Sequence, residues 1–206
     1  MSFYDERILP HLINWACGIG PVSKQRSLVV PGAYGEVLEV GFGSGLNLSH
    51  YKPEQVSKLW ALEPSEGMQR KSAPLIAASP MDIEWLGLEG ESVPLPDNSI
   101  DTVLLTYTLC TIPGFDEALS EMRRVLKPNG QLIFCEHGLA VDKKIQSIQN
   151  RLNPVWKRLA GGCHLNRDIP ALIRQAGFTI GSLDEGYIKG PKFAAYTYWG
   201  KASART

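Results

Sequence analysis

Three glycines at alternate positions, Gly41, Gly43 and Gly45, follow a short apolar run, Val37-Leu38-Glu39-Val40. An acid, Glu63, closes the next apolar run. Glycine lets a backbone turn through positive φ and come close to a ligand. An acid roughly 20 residues beyond such a loop is placed to take the paired hydroxyls of a ribose. The dinucleotide fingerprint is G-x-G-x-x-G, which receives a pyrophosphate at a helix N-terminus. Here the spacing from Gly41 is G-x-G-x-G, and Leu46 stands where the third glycine would be. Glu39, two residues before Gly41, is a poor neighbour for a pyrophosphate and a good one for a cation. Like-charge repulsion therefore favours a sulfonium ligand with a free amino group, S-adenosylmethionine, over NAD.

A second set of reactive side chains lies further along. Tyr107 follows an apolar, β-branched run, Ile100 to Thr106, and could line a pocket or pack in the core. Cys135-Glu136-His137-Gly138 ends another apolar run. His137 could take a proton from a thiol or hydroxyl near neutral pH, with Glu136 orienting it, or it could be a hydrogen-bonded structural histidine. Between Asn153 and Asp168 the chain mixes aromatic, small and charged residues, among them Trp156, Gly161, Gly162, Cys163, His164 and Arg167. Arg167 could bind a carboxylate or phosphate of a substrate, or pair with Asp168 or Glu136. Cys163 and His164 are adjacent, adjacent residues rarely converge on one ligand, and the four cysteines show no metal-ligand spacing. No metal is expected.

The elements that must hold these groups follow from periodicity. Apolar runs near 37–40, 58–62, 83–86, 100–106 and 131–135 read as buried strands. Helical segments read at 3–27 (broken by Pro10 and by Gly18, Gly20 and Pro21), 46–51, 65–78, 116–126, 142–160 (interrupted near Pro154) and 169–176. Lys127-Pro128-Asn129-Gly130 stops the 116–126 helix, and Asp168 caps the last one. Residues 179–187 and 193–199 alternate as two closing strands joined through Gly190-Pro191. Alternating strands and helices imply an α/β fold with a mostly parallel seven-stranded sheet ending in an antiparallel hairpin. One domain is expected over 1–206, with residues 1–32 as an N-terminal helical extension or lid that carries Phe3, Tyr4, Trp15 and Arg26, and 33–206 as the core.

Composition narrows the function. Of 206 residues, 21 are Lys or Arg and 21 Asp or Glu, so no net field recruits nucleic acid or an anionic membrane. No apolar run nears the roughly 18 residues a bilayer span needs, and the first ten residues lack a signal-peptide core. A cytoplasmic protein acting on a small molecule, as a monomer or homodimer, is the expectation.

Residues 36–136 resemble the core of class I methyltransferases, of the broad type that includes the ubiquinone and menaquinone biosynthesis enzymes. The resemblance rests on Val37 to Gly45, on Glu63-Pro64-Ser65 with Met68, on Glu89 to Asp101, and on Arg123 to Gly130. It implies S-adenosylmethionine as donor and S-adenosylhomocysteine as product. It also implies a cofactor site of Glu39, Gly41, Phe42, Gly43, Ser44, Gly45, Asn47, Glu63, Pro64, Ser65, Met68, Leu88, Glu89, Gly90, Thr106 and Leu109. Where the family commonly has an Asp for the adenine amino group, this chain has Glu89. The Asn/Asp-Pro-Pro-Tyr/Phe motif of DNA and some protein N-methyltransferases is lacking after Thr106, which argues against methylation of base amines. Glu136-His137, Pro154, Trp156, Lys157, Gly161, Cys163, Leu165, Arg167 and Asp168, with Leu109-Cys110, are similar to the mammalian methyltransferase-like proteins that methylate alkyl thiols. That second resemblance implies a thiol acceptor. Tyr4, from the N-terminal lid, with Trp156, Cys163, His164 and Arg167 are expected to meet the acceptor, and His137, Glu136 and Tyr107 to stand at the reacting groups. Phospholipids, amines and quinone precursors are the alternatives. The mammalian proteins carry an apolar N-terminal anchor that this sequence does not show, so a soluble relative is expected.

Overall fold

The structure is a computed structural model that describes residues 9–86 and 93–205. Tyr4 and the triplet Leu88, Glu89 and Gly90 lie outside the described residues.

Seven strands form one sheet in the order β3-β2-β1-β4-β5-β7-β6. They are β1 (Gly35–Val40), β2 (Val56–Leu62), β3 (Ile83–Leu86), β4 (Ile100–Thr106), β5 (Leu126–His137), β6 (Phe178–Tyr187) and β7 (Tyr196–Ala204). β1 pairs in parallel with both β2 and β4, and β4 with β5. β7 runs antiparallel to β5 and β6, which gives the expected closing hairpin. The helices are α1 (Leu9–Gly18), α2 (Gly20–Val29), α3 (Glu66–Ala77), α4 (Phe115–Val125), α5 (Lys143–Leu159), α6 (Ile169–Gln175) and a single turn, α7 (Lys192–Ala195).

The strands are apolar on both faces because both are covered. Along β4, Val103 and Leu105 join one apolar cluster, whereas Leu104 between them joins the other. β5 repeats this, with Leu132 and Phe134 on one side and Ile133 and Cys135 on the other. The first cluster takes Ala118, Leu119, Met122 and Val125 of α4 and Ile169 and Ile173 of α6. The second takes Val29 of α2, and Ile76 of α3 packs against it. In α4 the acids Asp116 and Glu117 lie in the first turn and Arg123 and Arg124 in the last, the order the helix dipole favours.

Four local expectations are corrected. Residues 46–51 hold only a 3-10 turn at Leu48–His50, because the buried Asn47 side chain is bonded across to β1 and β4. Lys127 to Gly130 are extended rather than a turn. Leu126 pairs with Ile100 and Gln131 with Thr102, so the extra residues bulge opposite Asp101, which Lys127 meets at 2.8 Å. α5 runs on through Pro154. A proline removes one ladder bond, and the helix is held by Gln149, which donates to the carbonyls of Gly138 (3.0 Å) and Phe193 (3.1 Å). Residues 192–195 make a helical turn led by Pro191, so the last strand begins at Tyr196, not Phe193.

Such a sheet binds ligands beyond the carboxyl ends of its strands, where the connections diverge. β1 is that point here: the chain leaves it toward β2 on one side and returns through β4 on the other.

Candidate active site

A cavity of about 500 Å³ opens beyond the ends of β1, β2 and β4. Its donor wall is the loop after β1 together with the end of β2. Gly41, Gly43 and Gly45 all have positive φ, at 75°, 59° and 80°. The first two serve different ends. A Cβ on Gly41 would stand 2.2 Å from Thr108 Oγ1, so packing forbids it. A Cβ on Gly43 would meet nothing nearer than the Gly41 carbonyl at 3.8 Å, so the space it leaves belongs to the cavity. Gly43 N–H donates to Glu63 Oε2 (2.8 Å) and Ser65 N–H to Oε1 (2.9 Å). Burial raises the Glu63 carboxyl, and these two N–H bonds oppose it. Pro64, Ser65 and Met68 line the cavity beside Glu63, and the Ser65 side chain caps α3 by accepting from Met68 N–H. Phe42 and Ser44 also line it. Phe42 stands edge-on to Trp85 at 5.3 Å, and the Ser44 hydroxyl donates to Asn14 of α1.

Glu39 and Asn47 are placed behind this wall. Glu39 is 1% exposed; its carboxylate accepts from Tyr51 (2.7 Å) and from the Asn47 amide (2.8 Å). Burial pushes Glu39 up to about 7, against the pull of those bonds and of Arg26. Asn47 Oδ1 accepts from Arg26 (2.8 Å), and Arg26 also donates to Thr106 (2.5 Å). Arg26 and Thr106 line the cavity, with the guanidinium 5.3 Å from the centre of the Tyr107 ring. Arg26 Nε is buried with no partner among the described residues. The sequence reading placed Arg26 only in the N-terminal extension. Nothing in the spacing tells that α2 carries it beneath the glycine loop.

The acceptor wall is the loop after β4, with Tyr107, Thr108, Thr111, Ile112 and Pro113, joined by Gly161 and Gly162 and by Ile13 and Cys17 of α1. Tyr107 has a φ of 57°, and burial lifts its phenol well above the ordinary range, so it is no base near neutral pH. Glu136 is wholly buried and accepts from Thr108 N–H (2.8 Å) and Cys110 N–H (3.2 Å). It anchors the loop instead of facing an acceptor. Arg167 does likewise: it donates to the carbonyls of Leu109 and Ile112, the latter at 2.8 Å, and its guanidinium lies 4.8 Å from the centre of the Phe115 ring. Leu109 is fully buried in the core rather than beside the donor. His164 turns toward α5, where its Nδ1 lies 3.3 Å from the Asn153 amide. Trp156 stacks edge-on against Phe193 at 5.7 Å. Neither His164 nor Trp156 is among the residues that line the cavity.

One convergence escaped the sequence. Cys163 Sγ lies 3.6 Å from Cys110 Sγ and 3.6 Å from His137 Nε2. The three residues come from the loop after β4, the end of β5 and the turn before α6, and their spacing in the chain gives no hint of contact. The hydrogen bond between Cys163 and Cys110, then the charge of His137, hold the Cys163 thiol well below its usual range against burial. Bonding to Cys163 and burial push Cys110 up.

The chain is similar to known proteins. Residues 38–134 match a family described as a methyltransferase domain. Thiol S-methyltransferase TMT1B of Rattus norvegicus is 32% identical over 152 residues, covering 69% of this chain and 59% of that protein. The Mus musculus protein of the same name is 32% identical over 172 residues, covering 76% and 68%. The chain thus spans about three fifths to two thirds of the length of these relatives. An S-adenosylmethionine-dependent methyltransferase from Aquifex aeolicus shares the fold with a TM-score of 0.64 at 20% identity, covering 94% of this chain and 97% of that one. The chain belongs to the class I S-adenosylmethionine-dependent methyltransferases. Among the described residues no helix is long and apolar enough to cross a membrane.

Proposed function

We propose that this enzyme transfers the methyl group of S-adenosylmethionine to a small-molecule thiol. The residues present fit the donor. Gly43 leaves room at the cavity face, Glu63 offers carboxylate oxygens for a ribose, and Arg26 carries an unpartnered buried N–H for the carboxylate of the methionine end. Met68 and Leu62 supply apolar surface for the adenine. When bound, the donor supplies a methyl carbon already activated by the adjacent sulfonium charge. The protein's part is then alignment of the acceptor with that carbon.

The observation that carries the thiol reading is the character of the acceptor wall. Ile13, Cys17, Thr111, Ile112, Pro113, Gly161 and Gly162 form it, and among the described residues Glu63 is the one acid lining the cavity, on the opposite, donor side. An amine, charged at neutral pH, would find no carboxylate there among the described residues. A thiol enters neutral and gives up its proton near pH 8 to 9, at little cost. The named activity of the two mammalian relatives supports the same choice. The unpaired thiols of Cys17, Cys110, Cys135 and Cys163 suit a reducing, cytoplasmic setting. α1 and α2 act as a lid, since Asn14, Cys17 and Arg26 all reach the cavity, and residues 1–206 work as one domain. Incubating the purified enzyme with the donor and panels of thiols, amines and phenols, and measuring S-adenosylhomocysteine, tests the reading. Thiols should turn over and the others should not; turnover confined to amines or phenols would refute it.

A further inference from the structure

We propose that Cys110, His137 and Cys163 form a three-ligand site for one Zn²⁺, whose fourth position takes the sulfur of the acceptor. The fourth-ligand part rests on the thiol reading above; the metal site does not. Two of the three ligand-to-ligand edges are those of an open zinc tetrahedron. With bonds of about 2.3 Å to sulfur and about 2.0 Å to nitrogen, tetrahedral zinc sets its ligands about 3.8 Å apart for two sulfurs and about 3.5 Å for sulfur and nitrogen. The observed separations are 3.6 Å from Cys163 to Cys110 and 3.6 Å from Cys163 to His137 Nε2, and all three ligand atoms lie within 4.8 Å of one another. A Cys₂His set is a known catalytic zinc shell that leaves one position open.

The backbone fixes this arrangement without help from a metal. His137 ends β5 and pairs with Thr197 of β7. Glu136, next to it, holds Cys110 N–H at 3.2 Å. His164 N–H donates to the Cys110 carbonyl (2.8 Å), which ties the segment of Cys163 to that of Cys110. Cys110 and His137 are buried, while Cys163 is partly open. The cluster lies directly behind the cavity wall, since Thr111 and Gly162, the chain neighbours of Cys110 and Cys163, are part of that wall.

The site would supply what a thiol acceptor lacks at neutral pH. Coordination to a divalent cation generates the thiolate, the nucleophilic form. The balance closes. The acceptor S–H gives its proton to solvent on binding. The thiolate lone pair forms the new S–CH₃ bond, and the donor's CH₃–S bond breaks with its electrons kept by the donor sulfur. The neutral thioether, a weaker ligand than a thiolate, then leaves.

The test uses the full chain, reduced, stripped with a chelator and titrated with Co²⁺ as a spectroscopic stand-in for Zn²⁺. One equivalent should produce thiolate-to-cobalt charge transfer and intense tetrahedral d–d bands, and Zn²⁺ should displace it. Cys163→Ser and His137→Ala should each weaken binding by at least ~100-fold while circular dichroism and calorimetric binding of S-adenosylhomocysteine persist. Cys17→Ser should keep the stoichiometry. No thiolate–cobalt spectrum in the wild type, or an unchanged one in Cys163→Ser, would overturn the site. Adding 2-mercaptoethanol to the cobalt protein should shift the d–d bands saturably; no shift would overturn the fourth-ligand role. Thiol turnover at an equal rate in stripped protein would overturn that role and leave the thiol reading standing. Cobalt bound with no thiol ever methylated would sink the thiol reading and leave the metal site.

Discussion

The donor wall and the acceptor wall face one cavity but are built differently. The donor wall is nearly continuous in sequence: β1, its glycine loop, then β2 and Glu63. Its key contact, Gly43 to Glu63, spans twenty residues. The acceptor wall gathers the loop after β4, Gly161 and Gly162 between α5 and α6, and one face of α1. Its key contacts, Arg167 to Leu109 and Cys163 to Cys110, span 58 and 53 residues. Local chemistry fixes the first wall, and tertiary packing fixes the second.

The largest expected effect lies in the donor wall and separates two glycines of one loop. Gly43→Val should cost about 1–3 kcal/mol for its φ of 59° yet leave the protein folded, because the new side chain enters the cavity, and should weaken donor binding by at least ~100-fold in calorimetry. Gly41→Ala should instead destabilise the fold by about 3 kcal/mol or more in urea unfolding, because its Cβ meets Thr108 at a positive φ. If both merely weakened binding, the division between packing and ligand glycines would fail.

On the other wall, Glu136→Ala should strand the N–H groups of Thr108 and Cys110 in the interior. The cost should be about 3 kcal/mol in the same unfolding experiment. A variant of normal stability with altered acceptor affinity would return Glu136 to a direct role in binding.

Glu39 gives a pH test. Its folded pKa is about 7 against an ordinary 4.5, so its protonated form is favoured by folding. That contribution is present below pH 4.5 and is lost as pH rises through 7. Glu39→Gln should remove this fall, flattening the stability profile between these values by on the order of 3 kcal/mol. An unchanged slope would mean that another group carries it. The smallest effect is expected for Arg167→Lys. An ammonium cannot keep the forked reach to two carbonyls, so about 1 kcal/mol of stability should go while donor affinity is retained.

These contrasts explain what could be read in advance. The mostly parallel seven-stranded sheet, the closing hairpin and the cavity-facing glycines follow from periodicity and from residues close in sequence. Glu63 was legible because its partner lies one strand away. Glu136 and Arg167 were visible as charged residues at strand and loop ends, yet their partners are backbone groups, which no side-chain pattern encodes. Cys110 stayed hidden for another reason: a buried cysteine looks like any small apolar residue until a second thiol and an imidazole arrive from other elements. Arg26 escaped because a helix outside the repeating pattern carries it to the cavity.

The central claim is that the donor's methyl group passes to an acceptor sulfur held on the Gly161, Gly162 and Thr111 side. A single-turnover reaction with a trideuteromethyl donor and one alkyl thiol, read by mass spectrometry, tests it most directly. The account predicts one labelled thioether and one S-adenosylhomocysteine per active site. Donor bound but label never found on sulfur, appearing instead on an amine or a phenol, would contradict it.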